Sequence, residues 1–179
     1  RQFLTFAAPR MRETFGGSGP AWAEDAMWRS YTRVSRGSIR VDADEVTYPA
    51  HVILRYRLEK AMIAGDLPLA DLPEAWARQM DALLGITPPD DRLGCLQDIH
   101  WPSGGWGYFP TYTLGAMTAA QLFDAACRAD ADILPGIARG DFQPLLLWLR
   151  AHIHAKGSLL ETDELVRQAS GQPLNAAIF

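Results

Sequence analysis

The stretch Val46-Thr47-Tyr48-Pro49-Ala50-His51-Val52-Ile53-Leu54-Arg55-Tyr56-Arg57-Leu58-Glu59-Lys60-Ala61-Met62-Ile63-Ala64-Gly65 reads as one long helix. Val52, Tyr56, Glu59 and Ile63 fall on one stripe and Ile53, Arg57 and Lys60 on another, and Gly65 is a natural stop. Asp42 or Asp44 supplies a carboxylate for its start. Downstream, Asp71-Leu72-Pro73-Glu74 has the form of a capping box, opening a helix that runs to Leu84 before Gly85. Pro110 to Arg128 and Phe142 to His154 are apolar helices, the second capped by Asp141 and stopped near Gly157. Thr162 to Ser170 forms a short one ending at Gly171. Upstream, Gly16-Gly17-Ser18-Gly19-Pro20 is a loop before a helix over Ala21 to Val34, and Ser38-Ile39-Arg40-Val41 suits a brief strand. The fold class is therefore mainly α, with one or two short strands beside a polar loop.

A chain of 179 residues is long enough for one domain with a real core, or for part of a larger one. Its 48% hydrophobic and 21% charged content argues for a folded globular chain rather than a disordered or fibrous one. A net charge of -4 gives no basic footprint for nucleic acid. The longest strongly apolar run, Leu145 to Leu149, is far too short to cross a bilayer. Cys95 and Cys127 are too few for a disulfide framework and fit a reducing compartment. The start has neither an initiating Met nor the pattern of a signal peptide, and reads as a cut inside a longer chain.

Thr87 to Gly107 is rich in Pro, Gly and Asp yet holds Gln97, Asp98, His100, Trp101 and Trp106, an unusual load for a connector. It is the segment expected to carry function. Familiar catalytic motifs are otherwise missing. His51, His100, His152 and His154 include no pair three or four apart, so no helix presents two imidazoles to one metal, and H-E-x-x-H is absent. Asp42-Ala43-Asp44-Glu45 opens like a calcium loop, but Thr47 and Ile53 stand where its glycine and final Glu belong, so helix capping is the better reading. Cys95 and His100 are two metal-type ligands without a third. There is no G-x-S-x-G elbow, and Gly104-Gly105-Trp106-Gly107 lacks the Lys of a phosphate loop.

Longer strings carry more. Ile39-Arg40-Val41-Asp42-Ala43-Asp44 and Gly94-Cys95-Leu96-Gln97-Asp98-Ile99-His100-Trp101, the latter followed by Gly107-Tyr108-Phe109-Pro110-Thr111-Tyr112, resemble the I-R-x-x-A-D and G-x-x-Q-D-x-H-W signatures of the carboxypeptidase Taq family. Glu59-Lys60, Asp71-Leu72-Pro73-Glu74-Ala75-Trp76 and Gly171-Gln172-Pro173-Leu174-Asn175 fit in order and spacing, so the resemblance spans nearly the whole chain.

That resemblance implies a mainly helical, gluzincin-type, cytoplasmic and commonly homodimeric peptidase, which removes carboxyl-terminal residues from peptides with zinc or another divalent metal. Its metal ligands would lie before Arg1. Residues 1–179 would then be a carboxyl-terminal fragment, truncated at the start and also short at the end, binding no metal and inactive alone. The alternative is a non-catalytic helical interaction module derived from the same fold. Within a peptidase, His100 is the first choice as donor to the developing oxyanion, with Tyr108 or Tyr112 as phenolic partner; the two tyrosines are four apart and share a side if a helix starts near Pro110. Core aromatics are the competing reading for both. Arg40 offers a fork for a substrate carboxylate, against a salt bridge to Asp42, Asp44 or Asp98, and Gln97 and Asp98 would orient His100 or line the substrate site.

Overall fold

The computed structural model describes all residues, Arg1 to Phe179. Eight α-helices form: α1 Gln2–Phe15, α2 Glu24–Tyr31, α3 Tyr48–Ala64, α4 Leu72–Leu84, α5 Pro110–Ala129, α6 Ile133–Arg139, α7 Gln143–His152 and α8 Thr162–Ser170. They divide between two units, residues 33–115 and residues 1–32 with 116–179.

In the unit of residues 33–115, α3 starts where Asp44 is at work. Its Oδ1 accepts the Val46 and Thr47 amides at 3.0 and 2.9 Å, and Oδ2 accepts the Ser35 amide at 2.8 Å, which holds the carboxyl below its ordinary pKa. The Asp44 carboxylate thus organises the turn into the helix. α4 packs on α3 around Leu54, Leu58, Trp76, Met80, Leu84 and Cys95. Its capping box does not form. A 3₁₀ turn at Leu69–Asp71 runs straight into α4, so Asp71 is already helical, and Glu74 pairs with Arg78 one turn on. No strand forms at Ser38–Val41 either. The Arg40 amide, which a strand would give to a neighbour, goes at 2.8 Å to the Gln97 side-chain oxygen, and the chain turns into a 3₁₀ segment, Arg40–Asp42.

In the unit of residues 1–32 and 116–179, α1 packs against α6, with Phe6 edge-on to Phe142 at 5.7 Å. Neither helix is marked in the sequence, because Pro9 interrupts the first and Pro135 sits inside the second. Burial of Leu4, Ala7 and Ala8 sustains α1 despite its proline. A second core gathers Ala125, Ala126, Ile133, Ile137 and Trp148. Gln121 is fully buried and fastens the chain end: its amide donates to Ser170 Oγ at 2.8 Å and Pro173 O at 3.0 Å, and its oxygen accepts the Asn175 amide at 2.8 Å.

The buried side of α3 is half polar. His51, Arg55 and Glu59 recur every fourth residue beside Val52, Leu54 and Leu58, whereas Tyr56 and Ile63 face outward. His51 is completely enclosed, and burial, with the positive charge of Arg55 next and Arg40 further off, lowers its pKa to about 4 against weaker support from the Gly37 backbone and Asp98. Unfolded, the same ring takes a proton near its ordinary value of 6.5. The unfolded state therefore binds the extra proton between these values, and stability falls as pH drops through that interval, by about 3 kcal/mol in full. Urea melts between pH 7 and 4 check this: His51→Leu, which cannot titrate, should show a shallower loss than the parent chain, and parallel losses would refute it.

Candidate active site

Three segments far apart in sequence meet at Asp98. Its Oδ1 accepts Arg40 Nη2 at 2.7 Å and Nε at 3.1 Å, and its Oδ2 accepts Arg55 Nε at 2.6 Å. Arg40 is positioned by the 3₁₀ turn, Arg55 by the third turn of α3, and Asp98 by the polar loop after α4. Burial alone would raise the Asp98 carboxyl, but the hydrogen bond of Arg40 and the charge of Arg55 hold it below the usual range, so it stays ionised. Arg55 has no exposed side-chain surface, and burial pulls its guanidinium down to about 10 despite Asp98. Arg40 is desolvated too, yet its bonds to Asp98 and Tyr48 leave it raised.

Gln97 ties the same segments by hydrogen bonds. Its side-chain oxygen accepts both the Arg40 amide and Arg55 Nη2 at 2.8 Å, while its amide donates to the carbonyls of Ser38, Leu93 and Gly94 at 3.0 to 3.1 Å. Aromatic rings close over the guanidiniums: Arg55 lies 4.6 Å from the Trp76 ring centre and Arg40 5.0 Å from that of Tyr112.

His100 stands on this platform. Its Nδ1 is buried without a hydrogen bond, 3.8 Å from Asp98 Oδ1, and its Nε2 shares a 3.0 Å hydrogen bond with the Tyr112 hydroxyl, whose direction follows the tautomer. The imidazole rests on Phe109 at 4.3 Å between ring centres, with Tyr108 at 5.7 Å. Tyr108 and Tyr112 meet edge to face at 5.3 Å although Tyr108 precedes α5. Phe109 is the buried ring of this group, Tyr112 is half-buried, and Tyr108 is half-exposed. An imidazole and two phenols, with a fixed carboxylate behind them, can donate hydrogen bonds from the ring N–H and the hydroxyls to an oxygen anion.

All six residues expected from the sequence thus assemble: His100, Tyr108 and Tyr112 on one side, Arg40, Gln97 and Asp98 behind. Arg40 directs Nε and Nη2 at Asp98 and Nη1 at the Tyr48 hydroxyl, 2.7 Å away. Arg55 and Tyr48 were not foreseen. The signal for Arg55 was the four-residue spacing of His51, Arg55 and Glu59 along α3, a polar stripe that reads as solvated until its partners are known. No three His, Cys, Asp or Glu side chains of the chain converge as a metal site, so Cys95 and His100 acquire no third ligand. No helix is long and apolar enough to cross a membrane.

The chain is similar to known proteins throughout. The family model described as carboxypeptidase Taq (M32) metallopeptidase matches residues 1–179. Thermostable carboxypeptidase 1 of Thermus thermophilus is 45% identical over 171 residues, which cover 96% of this chain and 33% of that protein. Carboxypeptidase 1 of Bacillus subtilis is 42% identical over 137 residues, covering 76% of this chain and 27% of that protein. Among solved structures, metallocarboxypeptidase 1 of Trypanosoma cruzi superposes with a TM-score of 0.93 at 43% identity, over 99% of this chain and 37% of that one. The chain spans about a third of the length of these relatives. With a match over its whole length, an all-helical fold shared with these structures and both signatures in place, the chain belongs to the carboxypeptidase Taq (M32) family of metallopeptidases.

Proposed function

We propose that this chain is the carboxyl-terminal part of a metallocarboxypeptidase that removes carboxyl-terminal residues from peptides, and that it supplies the oxyanion and substrate side of the cleft. The observation that carries this reading is the pair His100 Nε2 and Tyr112 OH, 3.0 Å apart and backed by an ionised carboxylate clamped between two arginines. The metal, zinc or another divalent ion, would be held by residues of the longer polypeptide.

When a peptide carbonyl becomes tetrahedral, its oxygen gains negative charge, and a preset donor at that point lowers the barrier. His100 or the Tyr112 phenol donates, and Tyr108, the most exposed of the three, reaches toward the substrate chain. Asp98 fixes the imidazole electrostatically and is not itself the proton acceptor, since two guanidiniums hold it ionised. Arg40, Gln97 and Asp98 serve the substrate by holding this face rigid, and Arg40 adds positive charge beneath Tyr112.

The full-length polypeptide carrying this chain, supplied with zinc or cobalt, should release amino acids one at a time from peptide carboxyl termini, as followed by mass spectrometry. The 179-residue chain alone should release none. His100→Ala and Tyr112→Phe should each lower kcat by about 100-fold with the helical content unchanged. Internal cleavage, or parental kcat in both variants, would end the reading.

Charge arithmetic ranks two further variants. Asp98→Asn leaves two buried guanidiniums uncompensated and should cost about 3–5 kcal/mol, whereas Arg55→Met leaves one balanced pair, Arg40 with Asp98, and should cost less. Chemical denaturation of both measures the order; a larger loss in Arg55→Met would contradict it.

A further inference from the structure

Glu59 lies on α3 with only 5% of its surface exposed, and both of its oxygens are engaged by the polar loop. Oε2 accepts the Trp101 indole N–H at 2.7 Å, and Oε1 accepts the Gly107 backbone N–H. These donors bracket the loop: Trp101 follows His100 directly, and Gly107 directly precedes Tyr108. Inside the bracket the loop is already tight. The Gly105 amide donates to His100 O at 2.7 Å, and a Cβ on Gly105 would come within 3.1 Å of that same oxygen. Gly107 takes φ +76, a conformation that side chains disfavour. Trp106 stacks on Trp101 at 5.9 Å between ring centres, and Trp101 packs against Phe109, the ring beneath His100.

We infer that Glu59 is a positioning residue: a two-point carboxylate clamp that fixes the spacing between His100 and Tyr108 by holding both ends of the loop joining them. A carboxylate suits the task because it is acceptor-only at both oxygens, and the two donors, an indole and a backbone amide, are each a single N–H. Any shorter or one-ended acceptor leaves one end of the loop free to move, and displacements of about 1 Å at a catalytic group are expensive in rate. Glu59 itself touches none of the reacting groups. The mechanistic half of this inference rests on the proposed peptidase reading; the clamp itself does not.

The test uses the full-length polypeptide and reads two signals, amide exchange of the peptide spanning residues 100–108 and steady-state kinetics on a peptide substrate. Glu59→Gln keeps the size but faces one donor with an NH₂ group. It should speed exchange of this peptide and lower kcat by about 10- to 100-fold while KM stays within about two-fold. Trp101→Phe removes the opposing donor, so Glu59→Gln should cost distinctly less kcat and protection in that background than in the parent; a general loss of packing would instead be additive. Should Glu59→Ala fail to fold, the isosteric Gln variant carries the comparison. An active parent whose Glu59→Gln variant keeps both protection and kcat, or strictly additive costs, overturns the clamp. A parent that hydrolyses no peptide sinks the proposed function, and exchange together with its Trp101→Phe cycle then decides the clamp alone.

Discussion

Asp98 is shared by two guanidiniums, those of Arg40 and Arg55, in a place where its own side chain is 10% exposed and theirs 7% and 0%. Bringing three charges out of water is costly, and the mutual attraction repays that cost only when geometry is good and leftover donors are satisfied. Here they are. Arg55 gives Nη1 to His51 O and Nη2 to Gln97, and Arg40 gives Nη1 to Tyr48. The faces of Trp76, Phe109 and Tyr112 take up part of the solvation that water no longer provides. Such a knot discriminates against every arrangement in which one partner is missing, so it selects the position of the loop as well as stabilising it.

The knot joins irregular chain to regular chain. Residues 87–107 contain no α-helix and no strand, and a segment of that kind pays full conformational entropy for a fixed shape. Gln97 and Asp98 anchor its middle to α3 and to the 3₁₀ turn at Arg40, and Trp101 and Gly107 anchor its end to Glu59. His100 falls between these anchors, which is how a loop residue acquires the rigidity usually found on helices. α3 is therefore less a helix of the hydrophobic core than the post to which the site is tied.

What could be read beforehand follows from this. Helix ends marked by local chemistry were legible: Gly65, Gly85 and Gly171 each close a helix in the left-handed conformation, and α8 has the bounds its sequence suggests. α1 and α6 were hidden because proline argues locally against a helix that tertiary packing nonetheless sustains. The strand at Ser38–Val41 failed for a long-range reason, since its amide is claimed by Gln97, 57 residues away. On α3 the stripe of Val52, Tyr56, Glu59 and Ile63 is split, with Val52 and Glu59 buried and Tyr56 and Ile63 exposed, and the buried side also includes His51 and Arg55. Hydropathy cannot identify a polar face as internal when the partners that make burial tolerable, Asp98 and Trp101, lie over forty residues further on. Composition marked the loop that holds Gln97, Asp98 and His100, but the roles of these residues and of Arg40 were legible only as parts of long signatures.

The charge left over after pairing decides what the exposed face favours. Two guanidiniums against one carboxylate leave one excess positive charge, and His51, whose pKa is lowered to about 4, adds nothing to it near neutral pH. That charge is held behind His100 and Tyr112 by groups that are buried and multiply bonded, so they need no reorganisation when a neighbouring charge develops. A guanidinium held 5.0 Å from the Tyr112 ring centre, screened less than a surface charge would be, favours an anion placed against that phenol. A single arginine would make an internally neutral ion pair with Asp98; the second leaves the knot charged and, through Gln97 and the His51 carbonyl, also ties it to α3.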